Sequence, residues 1–321
     1  MELRTLVTGG SGFIGANLVA ALQRSGRVVR SLGTRLMPPV GQESLYSRVD
    51  ILHSREVMAA FDAFRPHEVV HLAAQAGFAG RSDFFGYTVN TLGTRNVVAA
   101  IANTPGVSRA LFASSIVVVA PAEPREYGYA ESKREMEEIV SRSKLDASGC
   151  TWALMRLGHV WGPWCGAPYR AFFIAISRGR YVNLGHSDAP KRLAYVGNVV
   201  HTIERLLRAP AGRIQGRRFH VADECPVCIG DWAQTVATAL GRRPPRHIPE
   251  AVVRLAAGCG DALRFLGWKN PPLHSQRLAN MRSHSPFFPM DETLELAGPL
   301  PFTIVDGVRE TIEWLREEQL I

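Results

Sequence analysis

Leu3-Arg4-Thr5-Leu6-Val7-Thr8-Gly9-Gly10-Ser11-Gly12-Phe13-Ile14-Gly15-Ala16-Asn17-Leu18-Val19-Ala20-Ala21-Leu22 is the stretch that decides the fold. The apolar run ahead of the glycines predicts a strand. Behind them Ile14, Leu18, Ala21 and Leu22 recur at helical spacing. Ser25-Gly26 closes that helix before Val28-Val29 begins a second strand. Gly9, Gly12 and Gly15 form a G-x-x-G-x-x-G turn between strand and helix. Such a turn lets the backbone pass close to a pyrophosphate while the N–H groups of a helix N-terminus face the anion. Glycines also serve as plain turns and caps, so the flanking strand and helix carry the inference. A dinucleotide is the expected ligand, with Gly9, Gly12, Phe13, Ile14 and Gly15 at its pyrophosphate.

Outward from this unit, strand-like runs at 28–32, 69–73, 110–114 and 152–156 alternate with helical periods, and Arg48-Val49-Asp50-Ile51 ends a third strand near the adenine. The alternation predicts an α/β fold, a Rossmann-type doubly wound parallel sheet, followed by a smaller mixed α/β C-terminal substrate region. The expected boundaries assign 1–156 and about 192–224 to the dinucleotide-binding domain, and about 157–191 and 225–321 to the substrate region. In the C-terminal half, helices are expected at 196–207, 231–240 and 304–317, a strand at 218–222, and breaks at 244–249 and Asn270-Pro271-Pro272.

The chain has 321 residues, 46% of them hydrophobic and 21% charged, a composition that sustains a packed core over more than one domain. The net charge of +8 is carried by scattered arginines. No arginine stretch is interleaved with aromatics as in a strand-stacking groove, so nucleic acid is not an expected partner. An arginine-rich surface biased toward anionic nucleotide ligands is the better reading. Five cysteines, an odd and sparse set without a secretory signal, predict reduced thiols and a cytoplasmic location. Cys225-Pro226-Val227-Cys228 has half the spacing of a zinc or redox site without a second pair, so no metal is assigned. The apolar stretch 252–268 is interrupted by Arg254, Asp261 and Arg264, which excludes a membrane span and leaves a core-facing helix or a peripheral membrane contact.

Tyr129-Ala130-Glu131-Ser132-Lys133 sets a tyrosine and a lysine four apart on one helical face. A free tyrosine titrates near ~10, so acid/base work near neutral pH asks for a phenolate stabilised by about 4 kcal/mol, which a nearby ammonium can supply. Upstream, Leu111-Phe112-Ala113-Ser114-Ser115 brings two hydroxyls to the carboxyl edge of the sheet, where open α/β folds bind ligands. Ser115 is thus either a substrate-orienting group or a cap.

The order of glycine turn, strand-end serine and Tyr/Lys pair resembles the extended short-chain dehydrogenases/reductases, in particular the NAD(P)-dependent sugar-nucleotide epimerases, dehydratases and 4-ketoreductases. Further matching pieces are His71-Leu72-Ala73-Ala74, Asn90 with Gly93-Thr94, Arg156 with Gly162-Pro163, and residues 192–199. The resemblance implies that Tyr129 is the acid/base, that Lys133 binds the nicotinamide ribose and lowers the Tyr129 pKa, and that Ser115 hydrogen-bonds the reacting oxygen. It implies adenine contacts from Asp50 and Ile51, a cofactor edge at Ala73 and Ala74, and a structural place beside the cofactor for Asn90. Arg192, and less directly Arg282, look like arginines aimed at a substrate pyrophosphate. His159 stands where several relatives carry a substrate-touching asparagine. A homodimer through helices 93–102 and 129–143 is implied too, with Val97, Val98, Ile101, Met136, Ile139 and Val140 serving either that contact or the core. Two departures concern the sugar-facing wall: Val118-Val119-Ala120 replaces a Val-Tyr-Gly-like stretch, and the loop from Ser115 to Tyr129 is short.

NAD-preferring folds place an acid at the end of the second strand. Here that position is Gly33, followed by Thr34 and Arg35, a hydroxyl and a planar cation suited to a 2′-phosphate. NADP(H) is therefore the expected cofactor, with NAD(H) the alternative, and a nucleotide sugar the expected substrate, reduced or epimerised at a carbon such as C4. A reductase of steroid- or flavonoid-type ketones and a non-catalytic cofactor sensor are the competing readings.

Overall fold

The computed structural model describes residues 2–76, 84–119, 127–184, 190–268, 271, 273–282 and 288–321. Its elements begin with β1 (Arg4–Thr8), α1 (Phe13–Arg24), β2 (Val28–Gly33), β3 (Tyr46–Arg48), α2 (Ser54–Phe64), β4 (Glu68–His71), α3 (Thr94–Asn103) and β5 (Arg109–Ser115). They continue with α4 (Tyr127–Ser141), β6 (Thr151–Leu157), β7 (His159–Trp161), α5 (Tyr169–Ser177), β8 (Val182–Leu184), β9 (Leu193–Tyr195), α6 (Val196–Arg208) and α7 (Ala211–Ile214). The last are β10 (Arg217–Val221), α8 (Ile229–Ala239), β11 (Arg246–Ile248), α9 (Glu250–Phe265), α10 (Ser275–Arg282), α11 (Asp291–Ala297) and α12 (Ile304–Glu317).

Seven strands form one sheet in the order β10-β6-β5-β4-β1-β2-β3, and every neighbouring pair is parallel. A parallel sheet is covered by helices on both faces, which is why β4 is buried at all four positions and Leu6, Val7, Val69, Val70, Leu111 and Phe112 lose all contact with solvent. β1 lies between β2 and β4, so the chain turns away from it in both directions and a crevice opens at the strands' carboxyl ends. This is the α/β, doubly wound architecture expected from the sequence.

Strand ends differ in places. The run expected over 69–73 stops at His71, because Leu72 N donates to Thr8 O (3.1 Å) and the chain then bends along the sheet edge. The third strand ends at Arg48, and Val49 N turns back to Gly33 O (2.8 Å), which carries Asp50 and Ile51 out of the sheet. Residues 244–249, expected as a break, contain β11, which pairs in parallel with β8.

The described chain divides into two compact units. The first comprises Met1–Val160, Val196–Ala222 and Phe288–Pro301; the second comprises Trp161–Tyr195, Asp223–Phe287 and Phe302–Ile321. The expected boundaries at 156, 192 and 224 differ most at 288–301. There Thr293 Oγ1 donates to His220 O (2.8 Å) and the Phe288 ring lies 5.0 Å from that of His220, so the segment belongs with β10. In the second unit Trp161, Phe173, Tyr195 and Trp232 pack ring against ring. α12 approaches them through Gly307, where a Cβ would meet the Tyr195 ring at 2.6 Å. Val308, Ile312 and Leu315 of α12 are buried, and Thr303 and Asp306 cap its start reciprocally.

Of the six apolar residues read as either interface or core, Val97, Ile101, Met136 and Val140 are buried in the core of the first unit. Val98 and Ile139 line an outer groove between α3 and α4. Among the described residues no helix is long and apolar enough to cross a membrane.

Glu137 fastens α4 to the sheet. Its carboxylate accepts from Ser114 Oγ (2.7 Å), from Arg156 Nε (2.8 Å) and NH2 (2.7 Å), and from Arg218 Nε (3.3 Å), tying α4 to β5, β6 and β10. Burial pushes this carboxyl up, but the Arg156 and Ser114 hydrogen bonds and the charges of Arg156 and Arg218 outweigh it and hold it below its ordinary value. Glu137→Gln strands the partly buried Arg156 guanidinium, so urea unfolding at neutral pH is expected to show a loss of about 3–5 kcal/mol. A depressed carboxyl stabilises the folded state above its unfolded pKa and is lost as pH falls through the folded one. The acid limb of the stability profile is therefore expected to flatten in the same variant.

Candidate active site

The glycine turn works by close approach. Gly9 has φ +71°, and a Cβ there would lie 2.6 Å from Ala73 N. A Cβ on Gly15 would lie 2.2 Å from Gly9 O. Gly12 caps α1 without a side-chain acceptor, and no acid sits in the first turn, so the helix N-terminus meets the crevice unneutralised. A cleft of about 570 Å³ opens there, and Gly9, Gly12, Thr34, Arg35, Asp50, Ile51, Ala73 and Ala74 all line it. Phe13, Ile14 and Gly15 do not line it; they lie behind the turn, at the start of α1.

Ser11, Val49, Leu52, Leu72, Gln75 and Val89 line the cleft as well, and sequence reasoning missed them. A signal existed for Leu52, since Asp50 begins an Asx turn in which Leu52 N donates to Asp50 Oδ1 (3.0 Å). None existed for Gln75 or Val89, which reach the cleft through long-range contacts. Gly33 ends β2 without an acid, and a Cβ there would lie 2.3 Å from Ser11 Oγ, so the serine hydroxyl would have to turn away.

Asn90 does not line the cleft but holds its wall. It is buried in a π-helical turn, Val89–Gly93, just before α3. Its Oδ1 accepts from Gln75 N (2.8 Å), and its Nδ2 donates to Gln75 O (3.1 Å) and to Ser132 Oγ (2.9 Å). Ser132 Oγ in turn donates to Tyr129 O (2.7 Å). One amide therefore connects the cleft-lining segment after β4 to the helix that carries Tyr129 and Lys133.

Of the two strand-end serines, Ser114 is committed to Glu137, while the Ser115 hydroxyl hydrogen-bonds the Tyr129 phenol. Tyr87, itself buried, packs 5.7 Å from the Tyr129 ring. Burial of the phenol pushes Tyr129 up to about 12 against the opposing pull of Ser115, with Tyr87 adding to the rise. The resemblance implied a lowered Tyr129; in the chain by itself the shift runs the other way. Lys133 Nζ donates to Ala113 O (2.9 Å), and burial lowers it to about 8 although Glu137 pulls it up. The chain therefore presents a protonated phenol beside a serine hydroxyl, with a lysine that is still mostly charged at neutral pH one helical turn away.

The remaining candidates divide between the two units. His159 is exposed in the first unit, and Arg192 is in the second, where its NH1 donates to Glu224 O (3.4 Å). The Arg282 side chain lies outside the described residues, as do loop residues 120–126, which include Ala120 of the sugar-facing wall. Cys225 is exposed, Cys228 partly so, and among the described residues no three His, Cys, Asp or Glu side chains gather as a metal site.

The family model described as NAD dependent epimerase/dehydratase matches residues 5–222. A 3 beta-hydroxysteroid dehydrogenase/Delta 5-->4-isomerase of Mycobacterium tuberculosis is 28% identical over 83% of this chain and 75% of its own. An N-acetyl-alpha-D-glucosaminyl-diphospho-ditrans,octacis-undecaprenol 4-epimerase of Escherichia coli O157:H7 is 24% identical over 98% of this chain and 96% of its own. Among solved structures, the UDP-glucose 4-epimerase of Thermotoga maritima superposes with a TM-score of 0.75 at 19% identity, covering 99% and 100% of the two chains. The cleft fits a nicotinamide dinucleotide of the kind this family uses, since Gly9 lets the turn pass tight against the Ala73 backbone on its wall and the unneutralised α1 N-terminus favours a pyrophosphate.

Asn90→Ala leaves Gln75 and Ser132 groups unpaired inside the protein, so a thermal or urea melt is expected to show a loss of about 1–3 kcal/mol. Lys133 supplies a second test. A lysine lowered to about 8 when folded, against an ordinary 10.5, binds its proton more weakly than the unfolded chain does. Stability is thus expected to rise with pH across that interval. Lys133→Met is expected to abolish the rise and to gain about 1–3 kcal/mol at neutral pH, read by urea unfolding at several pH values.

Proposed function

Because the chain belongs to the NAD dependent epimerase/dehydratase family, we propose that it interconverts a hydroxyl and a keto carbon, C4 of a nucleotide-linked sugar, using NADP(H) in preference to NAD(H). The observation that carries this reading is the phenol of Tyr129, enclosed, protonated and hydrogen-bonded to the Ser115 hydroxyl at the carboxyl end of β5. The nicotinamide, when bound, supplies or accepts the hydride. The residues of the chain handle the oxygen and its proton. Ser115 Oγ orients the reacting oxygen, and Tyr129, which keeps its proton through neutral pH, donates it as a carbonyl oxygen gains negative charge. Running the step in reverse requires the phenolate, which burial opposes. Lys133 holds the cofactor ribose and is the cation available to ease that cost, and Asn90 keeps both walls in register.

Thr34 and Arg35 on the cleft wall, with no acid at Gly33, support NADP(H). Asp50 and Ile51 serve the adenine, and His159, Arg192 and Arg282 remain the substrate-side residues of this reading. The groove between α3 and α4, with Val98 and Ile139 in its lining, supports a homodimer.

A second reading, reduction of a hydrophobic alcohol or ketone, is favoured by the steroid dehydrogenase relative, which is more similar in sequence than the sugar epimerase relative. Following NADPH absorbance with nucleotide sugars and with steroid ketones separates the readings. The sugar reading expects turnover with the former, lost on Arg192→Ala; turnover with steroid ketones alone overturns it.

Tyr129→Phe is expected to lower kcat/KM by about 10²–10⁴-fold with cofactor affinity unchanged, and intact turnover would refute the acid/base role. Fluorescence titration is expected to give tighter NADPH than NADH binding, with Arg35→Ala costing NADPH about tenfold and NADH little. Markedly tighter NADH binding would reverse the cofactor assignment.

A further inference from the structure

α9 carries apolar residues on two opposite faces. Val253, Ala257 and Gly260 form a narrow buried stripe, with Val253 and Ala257 packed against Leu278 and the partly buried Leu184, Ile248 and Leu273. On the outward side Val252, Leu255, Leu263 and Leu266 recur at helical spacing and are 53%, 71%, 37% and 78% exposed. Trp268, 53% exposed, follows this surface at the helix end, where Trp268 N caps Leu263 O (2.9 Å), while Phe265, two residues after Leu263, projects from another side of the helix. A surface helix ordinarily turns a polar face to water. A contiguous exposed apolar surface marks an interaction site.

The surrounding charge selects the partner. Between residues 242 and 264 stand Arg242, Arg243, Arg246, Arg254 and Arg264, against only Glu250 and Asp261. Glu250 pairs with Arg254 (2.6 Å) and the two cancel, and Asp261 Oδ1 accepts from Ser275 N (3.2 Å), so the segment keeps an excess of arginine over acid. Pairing this face with a second copy of itself would set arginine against arginine. Anionic lipid headgroups would neutralise the same charges while the acyl boundary takes the apolar stripe. From Val252 to Leu266 the stripe runs about 21 Å, enough to lie along a bilayer surface. An exposed tryptophan beside arginines suits the headgroup level.

We propose that α9 and Trp268 dock this protein in the plane of an anionic lipid surface, with Val252, Leu255, Leu263 and Leu266 sunk below the headgroups. The reading is independent of which substrate the catalytic site takes.

The test is flotation of the full chain with vesicles of phosphatidylcholine alone and of phosphatidylcholine with an equal part of phosphatidylglycerol. Binding is expected to the anionic vesicles and to weaken as salt is raised. Leu255→Glu and Leu266→Glu change exposed side chains, so melting temperature is expected to hold while each lowers the partition coefficient about tenfold or more. Val40→Glu, at an exposed position of the first unit, is expected to change neither. Failure to float with anionic vesicles overturns the proposal, as does flotation indifferent to Leu255→Glu and Leu266→Glu. Concentration-dependent self-association that these two variants abolish, without vesicle binding, overturns it in favour of a second copy.

Discussion

A histidine that cannot be charged holds the nucleotide-binding unit together. His71 ends β4 with both ring nitrogens engaged, Nδ1 to Thr8 Oγ1 (2.7 Å) and Nε2 to Thr94 Oγ1 (3.0 Å), and burial with the nearby Lys133 charge lowers it to about 3. Thr94 Oγ1 spends its proton on Asn90 O (2.8 Å), so it accepts from Nε2, and the Thr8 hydroxyl donates to Nδ1. Thr8 Oγ1 also accepts from Ala73 N (3.3 Å). Each bond assigns the direction of the next. The end of β1, the end of β4 and the start of α3 are fixed against one another by a neutral imidazole.

The same relay reaches α4 through Asn90 and Ser132, while Glu137 anchors that helix to the sheet. Between the two anchors sit the groups that the fold holds at an energetic disadvantage, an enclosed phenol and a buried amine. A protein selected for stability alone would fill such positions with apolar side chains. That they stand in a frame of satisfied hydrogen bonds is what links packing to chemistry here.

Much of this was legible in the sequence because it is local. The glycine turn, the alternation of strands with helices and the Tyr129/Lys133 spacing all depend on residues a few positions apart. Ser115 was legible as one of two strand-end hydroxyls, but its neighbour's commitment to Glu137 was not, since that bond joins α4 to β5. The direction of the Tyr129 shift was misread for a related reason. Spacing shows a lysine near a tyrosine, whereas enclosure by Tyr87 and the sheet edge comes from tertiary packing. Gln75 and Val89 carry no chemical signature at all and acquire their place only when the chain after β4 bends along the cleft. In α9 the two apolar stripes were visible as one apolar stretch, and only burial separates the face that packs from the face that does not.

The route of the chain between its two compact units carries a further consequence. It passes from one to the other at 160/161, 195/196, 222/223, 287/288 and 301/302. Neither unit is a continuous gene segment, so a single recombination event cannot exchange one while keeping the other. New specificity in such an architecture has to come by small edits inside interleaved segments. A laboratory chimera faces the same bookkeeping: several junctions replaced together, each at a point where the backbone already passes between units.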